Sequence, residues 1–413
     1  MAEAGTPSER HPSSSLLAPV AVRTIELDRA EPLELAREGD PYRSALLIAT
    51  RGGVPLAVQS LTLDGGTRIE PAELRSLFSD LPPETAASVP RYGAVPSVSV
   101  VVTTCAQPES LLATVASVLA CDPAPLEVIV VENRPQGSPV AAALGERFGD
   151  DERVRYVEES RVGLSWARNT GIDASTGDVV AVTDDDVLVN PRWIDWLGRA
   201  FASEPDVACV TGLILPADLE TDEQVFIEQF AGFGKGFERR VFHISTPTSP
   251  LAPFAAGEYG SGACTAIRRE IAHELGGFDQ ALGAGTIARG GEDLDLYVRL
   301  LLAGHTIVYE PAAMIFHRHP DATDHVRREV FCYGVGLSAM VMKQMVGGQA
   351  LAVLRRLPRA LRYLLDPTSR KNVRKGPAYD HRYDWIERAG IAAGPFAYLA
   401  SRRQQRGYAR TSA

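Results

Sequence analysis

Asp178-Val-Val-Ala-Val-Thr-Asp-Asp-Asp186 is an apolar run that ends in three aspartates. Its uncharged middle predicts a buried strand over 178–183, since a strand covered on both faces needs no polar alternation. The adjacent carboxylates repel one another and require a cation or strong hydrogen-bond donors, and their oxygens suit Mg²⁺ or Mn²⁺ bridging to a phosphate. The triplet alone favours a second interpretation, an acidic turn that caps a helix opening at Pro191.

Strands and helices alternate on the amino-terminal side of this run. Hydrophobic spacing predicts strands at 98–103, 127–131 and 154–157 and helices at 108–119, around Ala141 and at 164–172. Such alternation predicts an α/β fold with a mostly parallel sheet flanked by helices. Ligands of these sheets bind at the carboxyl ends of the strands, just before Thr104, Glu132 and Asp184.

A small α+β module precedes this region, and a helical tail follows it. Two β-rich runs, 20–27 and 44–63, form the module's sheet, the second broken by a tight turn at Arg51-Gly52-Gly53, and Pro71 opens a helix. The predicted divisions are a disordered tail at 1–17, the module at 18–81, a proline-rich linker at 82–95, the main domain at 96–325 and a helical region at 326–413.

The composition is that of an ordinary globular protein: of 413 residues, 45% are hydrophobic and 23% are charged. A net charge of -10 disfavours nucleic-acid binding, which needs a cationic surface. Five cysteines without a CxxC pair favour a reduced, cytoplasmic compartment. The best apolar stretch, 334–345, is short and contains Lys343, so we predict no membrane-crossing segment and no signal peptide.

A second acidic group follows two glycines in Gly290-Gly-Glu-Asp-Leu-Asp295. The glycines predict the start of a helix, and a helix amino terminus stabilises an ionised carboxylate. Asp293 in the first turn is therefore a candidate proton acceptor at neutral pH. An equally open interpretation is that Asp293, like Glu292 and Asp295, only complements the helix dipole.

A short apolar strand after Tyr309 ends in two histidines, His317 and His319. Imidazole is a good ligand for ions of the Mn²⁺ class. A single histidine in such a place is more often a surface or hydrogen-bonded residue. The combination with the two acidic groups is what favours a metal site.

In their order along the chain, these groups resemble the family-2 glycosyltransferases of the GT-A fold. The resemblance covers about 96–319 and rests on the segments 98–104, 127–133, 163–171, 183–186, 260–263, 276–279, 290–293 and 309–311 together with His317. It implies an inverting enzyme with a nucleotide-diphosphate sugar as donor and Mn²⁺ or Mg²⁺ as cofactor.

The resemblance implies a metal site built on the triplet. Asp186 is the direct ligand, Asp184 lies nearer the ribose or the metal, and His317 is the third protein ligand. Asp185 is a neighbour of the nucleotide. His317 matches the family position better than His319, which is left as a neighbour or a phosphate contact.

The donor pocket follows from the same resemblance. Glu132 stands where the family usually has an aspartate that contacts the nucleotide base. Thr104 and Cys105 line the same pocket, Arg168 faces the nucleotide, and Glu292 completes the donor-binding set.

Asp293 is implied to be the catalytic base, which takes a proton from the acceptor hydroxyl as that oxygen attacks the anomeric carbon. A diphosphate leaving group stabilised by a cation needs no protein acid. A sugar-nucleotidyltransferase stays open as an alternative, although it is expected to carry a glycine-rich basic loop where 104–108 reads Thr-Cys-Ala-Gln-Pro. A non-catalytic sugar-nucleotide binding protein also stays open, although it has no need of Asp293.

The expected partners are a nucleotide sugar and an acceptor: a glycan, a lipid-linked glycan or a natural product. In the tail, a leucine stripe lies beside arginines and is followed by further cations: Leu351, Leu354, Leu357, Leu361, Leu364, Arg355, Arg356, Arg359, Arg362, Arg370, Lys371, Arg374 and Lys375. A basic amphipathic helix can rest on an anionic membrane, which would place the protein at the inner face of the plasma membrane. The slightly favoured alternative is a helix packed on the domain with its charges solvated.

Overall fold

The computed structural model describes residues 16–411 except 64, 66–67, 82–92, 106, 205, 232, 367, 370–371 and 373–378, with side chains as far as 406. Most of the predicted tail and linker therefore lies outside the described residues, as do Arg370, Lys371, Arg374 and Lys375. Leu16 and Leu17 were assigned to the disordered tail, and this assignment is wrong. Leu16 is buried in the core, and the Leu17 N–H donates to Ser44 Oγ over 3.0 Å.

The amino-terminal module contains a three-stranded sheet covered by one helix. Its elements are β1 (Val20–Glu26), β2 (Leu33–Glu34), β3 (Ser44–Arg51), β4 (Val54–Thr62), β5 (Arg68–Ile69) and α1 (Pro71–Leu77). The sheet order is β1-β3-β4, and Leu74 of α1 shares a hydrophobic cluster with Leu47 of β3. The predicted strands, helix and glycine turn are present; Gly52 and Gly53 have φ values of 58° and 77°, which favour glycine.

The other face of this sheet packs on the main domain. Val20, Leu46 and Val58 share one hydrophobic cluster with Leu213 and Leu219, and the Val20 N–H donates to the Leu219 carbonyl over 2.9 Å. Almost all of β3 is buried because both of its faces are covered. The module is thus joined to the main domain by a shared core.

The main domain is built on a second sheet with helices around it. Its strands are β6 (Val98–Thr104), β7 (Glu127–Glu132), β8 (Val154–Glu158), β9 (Val179–Asp184), β10 (Val187–Val189), β11 (Val207–Pro216), β12 (Arg240–Phe242), β13 (Thr265–Arg268) and β14 (Thr306–His317). Its helices are α2 (Pro108–Leu119), α3 (Val140–Phe148), α4 (Leu164–Ala174), α5 (Trp193–Phe201), α6 (Asp222–Ala231), α7 (Arg269–Glu274) and α8 (Glu292–Leu302).

The strand order is β10-β14-β11-β13-β9-β6-β7-β8, with β12 beside β14. Strands β9, β6, β7 and β8 run parallel, as do β11 and β14, while β13 lies antiparallel between the two groups. The predicted α/β class with a mostly parallel sheet is confirmed.

Three parallel strands end at one edge of this sheet. Thr104 pairs with Glu132, and Thr103 pairs with Asp184, so the last residues of β6, β7 and β9 are neighbours. The predicted grouping is present, although each of these residues closes its strand instead of following it. This edge positions the site described below.

Three helices complete the chain: α9 (Thr323–Gln344), α10 (Ala350–Leu365) and α11 (Arg382–Thr411). The helices α9 and α11 cross closely, because a Cβ on Gly334 would lie 2.2 Å from the Glu387 carbonyl oxygen and one on Gly390 would lie 2.3 Å from that of Phe331. The predicted helical tail is confirmed. It is also packed against α8 through α9.

One helical stretch of the described residues, 323–365, is long and apolar enough to cross a membrane by length and composition alone, and 39% of its most apolar window is buried inside the protein. This stretch contains α9, which packs on α8 and α11. A core helix can meet the same criteria. The absence of a membrane-crossing segment stays a prediction.

Candidate active site

The three aspartates at the end of β9 contact three different partners. The Asp184 carboxylate pairs with Arg168 Nη2 at 3.0 Å, Asp185 accepts a hydrogen bond from the Thr104 hydroxyl, and Asp186 Oδ1 lies 3.4 Å from His317 Nε2. The helix-cap interpretation of the triplet is wrong, since β10 follows the aspartates directly and α5 starts at Trp193 with no side-chain cap.

Asp186 and His317 face each other across two paired strands. His317, the last residue of β14, pairs with Val187, which follows Asp186. Burial raises the pKa of Asp186, as does the charge of Asp184, while His317 opposes the shift. Buried Asp186 Oδ1 and His317 Nδ1 have no hydrogen-bond partner among the described residues. An enclosed carboxylate oxygen beside an imidazole nitrogen fits a divalent cation such as Mn²⁺ or Mg²⁺.

The predicted ligand set is only partly assembled. Within the described part of the chain, no three His, Cys, Asp or Glu side chains are gathered closely enough to hold a metal ion. Asp184 is not part of the pair formed by Asp186 and His317; its Oδ1 contacts Arg168 Nη2 instead. His319 is buried and bonds Glu228 Oε2 at 2.8 Å, so His317 is the histidine beside Asp186.

Arg168, expected to face the nucleotide, is buried and paired with two carboxylates. Its side chain is only 2% exposed, and it donates to Glu292 Oε1 over 2.9 Å and to Asp184 Oδ1 over 3.0 Å. It lies on α4, which packs against β6 and β7. A Cβ on Gly262 would be 2.7 Å from Arg168 Nη1. The absence of a side chain at Gly262 therefore lets its backbone pack against the guanidinium.

Glu292, expected in the donor-binding set, is likewise buried. Burial raises the pKa of Glu292 to about 7, the charge of Asp293 raises it further, and Arg168 opposes the shift. A carboxylate placed among other carboxylates needs such a cation to stay in the fold. Arg168 thus joins the end of β9 to the start of α8.

Asp293 occupies the first turn of α8, as the glycines before it predict. It is half-buried, Oδ2 accepts the Gly262 N–H over 2.8 Å, and Oδ1 accepts the Leu294 N–H over 2.7 Å. Gly291 has a φ of 85°, and a Cβ there would lie 2.3 Å from the Gly336 carbonyl oxygen of α9. The two backbone donors fix the orientation of the carboxylate at the amino terminus of α8.

The ends of β6 and β7 supply the polar lining expected of a nucleotide pocket. Glu132 is fully buried; its Oε2 accepts the Tyr156 hydroxyl over 2.7 Å, and its Oε1 has no hydrogen-bond partner among the described residues. Thr104 is buried against Asp185, whose pKa is raised by burial to about 6, and Cys105 is exposed beyond it. Tyr156 was missed by the sequence reasoning, although it alternates with Glu158 along β8.

Asp295 has a structural role beside the site. It is fully buried, accepts Arg299 Nε over 2.7 Å and Gln344 Nε2 over 2.8 Å, and pairs with Lys343 Nζ at 2.5 Å. Lys343 also reaches Asp279 at 2.8 Å. The signal for this network was the lysine that interrupts the apolar stretch of α9.

Known proteins resemble this chain over the same region. A family profile described as "Glycosyltransferase like family 2" matches residues 96–332. The glucosyl-dolichyl phosphate glucuronosyltransferase of Haloferax volcanii is 29% identical over 51% of this chain and 64% of its own length. The pre-mycofactocin glycosyltransferase of Mycobacterium tuberculosis is 29% identical over 53% of this chain and 43% of its own.

A solved structure, the mannosyltransferase PcManGT from Pyrobaculum calidifontis in complex with GDP-Man and Mn²⁺, is 18% identical over 79% of each chain with a TM-score of 0.45. The chain spans less than two thirds of the length of the two curated relatives. The family profile, in contrast, covers more than half of the 413 residues. The chain therefore belongs to the glycosyltransferase-like family 2.

Proposed function

We propose that this protein transfers a sugar from a nucleotide-diphosphate donor to an acceptor hydroxyl, with inversion and with a divalent cation. One arrangement supports this most: buried Arg168 joins Asp184, at the edge expected to bind the donor, to Glu292, the neighbour of Asp293. A sugar-transfer site needs this coupling, because the base must face the sugar whose diphosphate is held at the strand ends.

Asp293 takes the proton of the acceptor hydroxyl in this proposal. The Gly262 and Leu294 N–H groups hold its two oxygens and keep the carboxylate oriented. The hydroxyl oxygen attacks the anomeric carbon as the bond to the diphosphate breaks. Arg168 is a positioning residue, since it reaches the reacting groups only through Asp184 and Glu292.

Asp186 and His317 hold the divalent cation, with Asp184 as the additional oxygen ligand. When bound, the cation neutralises charge that develops on the leaving diphosphate. Glu132 and Thr104 orient the nucleoside; the unpartnered Oε1 of Glu132 is suited to accept an N–H of the base. We place this activity in the cytoplasm.

A thermal-shift panel of nucleoside diphosphates and nucleotide sugars tests the donor and the metal. Mn²⁺ or Mg²⁺ with the right nucleotide should raise the melting temperature, since a ligand at 100 times its Kd stabilises the fold by about 2.7 kcal/mol. Release of nucleoside diphosphate with an acceptor present measures turnover. Asp186→Ala should lose the metal-dependent part of both signals, and Asp206→Ala, at an exposed aspartate, should keep it.

Equal nucleotide stabilisation with metal and with chelator contradicts metal-assisted transfer. Stabilisation without turnover across the panel of acceptors favours the sugar-nucleotide binding protein over the enzyme. Release of pyrophosphate from a nucleoside triphosphate and a sugar phosphate would instead identify a nucleotidyltransferase.

A further inference from the structure

Five of the six leucines of α10 form an exposed row; Leu364, predicted to belong to it, is half-buried, and Leu365 takes its place. Leu351, Leu354, Leu357, Leu361 and Leu365 are 44–66% exposed. At 100° per residue they cover an arc of about 120° on one side of the helix. Val353, about 100° around the helix from the middle of the row, is the buried residue of α10. The helix α10 contacts the domain through Val353 and Arg356 with its other arginines solvated, but it presents its leucine row outward.

Arginines line one edge of this row. Arg355, Arg359 and Arg362 are exposed, and α10 contains no acidic residue. Neither Arg355 nor Arg359 forms a salt bridge with a residue that the structure describes. In a chain of net charge -10, this concentration of cations beside exposed leucines suits a partner that is both apolar and negatively charged.

We propose that α10 docks the protein on an anionic lipid surface, with the leucines in the boundary between headgroups and acyl chains and the arginines on lipid phosphates. A helix with an apolar face and a basic edge binds in this way through buried apolar area and electrostatic attraction together. A second copy of the chain is a poorer occupant, because a two-fold contact would bring two arginine-edged rows together.

The helix α10 contacts a segment of the chain that leads to the active site. Arg356 of α10 lies over the Phe254 ring at 5.6 Å, and the segment after Phe254 leads through Tyr259 to Gly262, the donor to Asp293. Docking therefore holds the acceptor side of the pocket close to the lipid surface, which suits a lipid-linked acceptor. This last step rests on the proposed function, whereas the docking itself does not.

Vesicle flotation of the full chain tests the docking. Vesicles of phosphatidylcholine alone are compared with vesicles that also contain phosphatidylglycerol, at low and high salt. We expect binding to the anionic vesicles only, weakened by salt. Leu351→Ser/Leu354→Ser/Leu361→Ser should weaken it at least about tenfold, and Arg355→Gln/Arg359→Gln should reduce its salt dependence.

The matched control is Leu126→Ser/Ile244→Ser/Leu302→Ser, at positions 37–49% exposed elsewhere on the surface, which should bind like the original chain. Equal binding by the α10 leucine variant, or no binding of the original chain to anionic vesicles, overturns the docking. So does a dimer in sedimentation velocity that the same variant converts to a monomer. Vesicle binding without nucleotide-sugar turnover would contradict only the proposed function.

Discussion

Asp293 and Asp295 lie two residues apart in the first turn of α8, one half-buried at the pocket and the other enclosed in the protein. Asp293 is held by the Gly262 and Leu294 N–H groups. Asp295 is held by side chains of Arg299, Lys343 and Gln344. Asp293 forms no salt bridge with a residue that the structure describes, so its carboxylate is available for a reaction. The charge of Asp295 is used to join α8 to α9.

Asp295→Ala is the change with the largest expected effect on folding. It leaves Lys343 and Arg299 without their shared carboxylate, which should lower the free energy of unfolding by about 3 kcal/mol. Urea unfolding followed by circular dichroism measures this loss. Asp324→Ala, at a carboxylate 88% exposed, should change it by less than about 0.5 kcal/mol. A loss below about 1 kcal/mol in Asp295→Ala would show that α8 and α9 do not depend on this network.

Glu292 should make the buried side of α8 sensitive to pH. Its raised pKa, about 7, means that the folded state holds a proton between roughly pH 4.5 and 7 that the unfolded state has lost. Stability from this group is therefore present at low pH and is lost as pH rises to 7. In Glu292→Gln, this pH-dependent loss of unfolding free energy, on the order of 2 kcal/mol across the window, should disappear. Parallel unfolding curves for both proteins against pH would exclude a raised pKa for Glu292.

The smallest effect on folding is expected for Asp293→Asn. The amide oxygen can still accept the Gly262 N–H, and the side chain is only half-buried, so the free energy of unfolding should change by less than about 1 kcal/mol. The same urea titration measures this change. A loss as large as that of Asp295→Ala would make Asp293 a structural residue too, and the contrast between the two aspartates would disappear.

The grouping of Thr104, Glu132 and Asp184 could be predicted from the sequence because parallel strands end at the same edge of a sheet. Each residue ends a run that is mostly apolar and uncharged in its middle, which fixes the strand and hence the edge. The position of Asp293 in the first turn of a helix could be predicted for a similar local reason, since Gly290 and Gly291 indicate where the helix starts.

The pairing of Arg168 with Glu292 could not be predicted in this way. The two residues are 124 positions apart, and only the packing of α4 beneath the sheet brings them together. Periodicity likewise identified the leucine row of α10 but not its surroundings. An amphipathic pattern shows that one face differs from the other, and the tertiary structure decides which face is covered.

Transfer by Asp293→Asn tests the central claim most directly. Single-turnover release of nucleoside diphosphate, with acceptor and Mn²⁺ present, should fall about 10²- to 10⁴-fold, as expected for the loss of a general base. Donor affinity from the thermal shift should stay within about twofold, since the variant keeps the shape of the site and can still accept the Gly262 N–H. Normal donor binding together with an unchanged rate would contradict the assignment of Asp293 as the base.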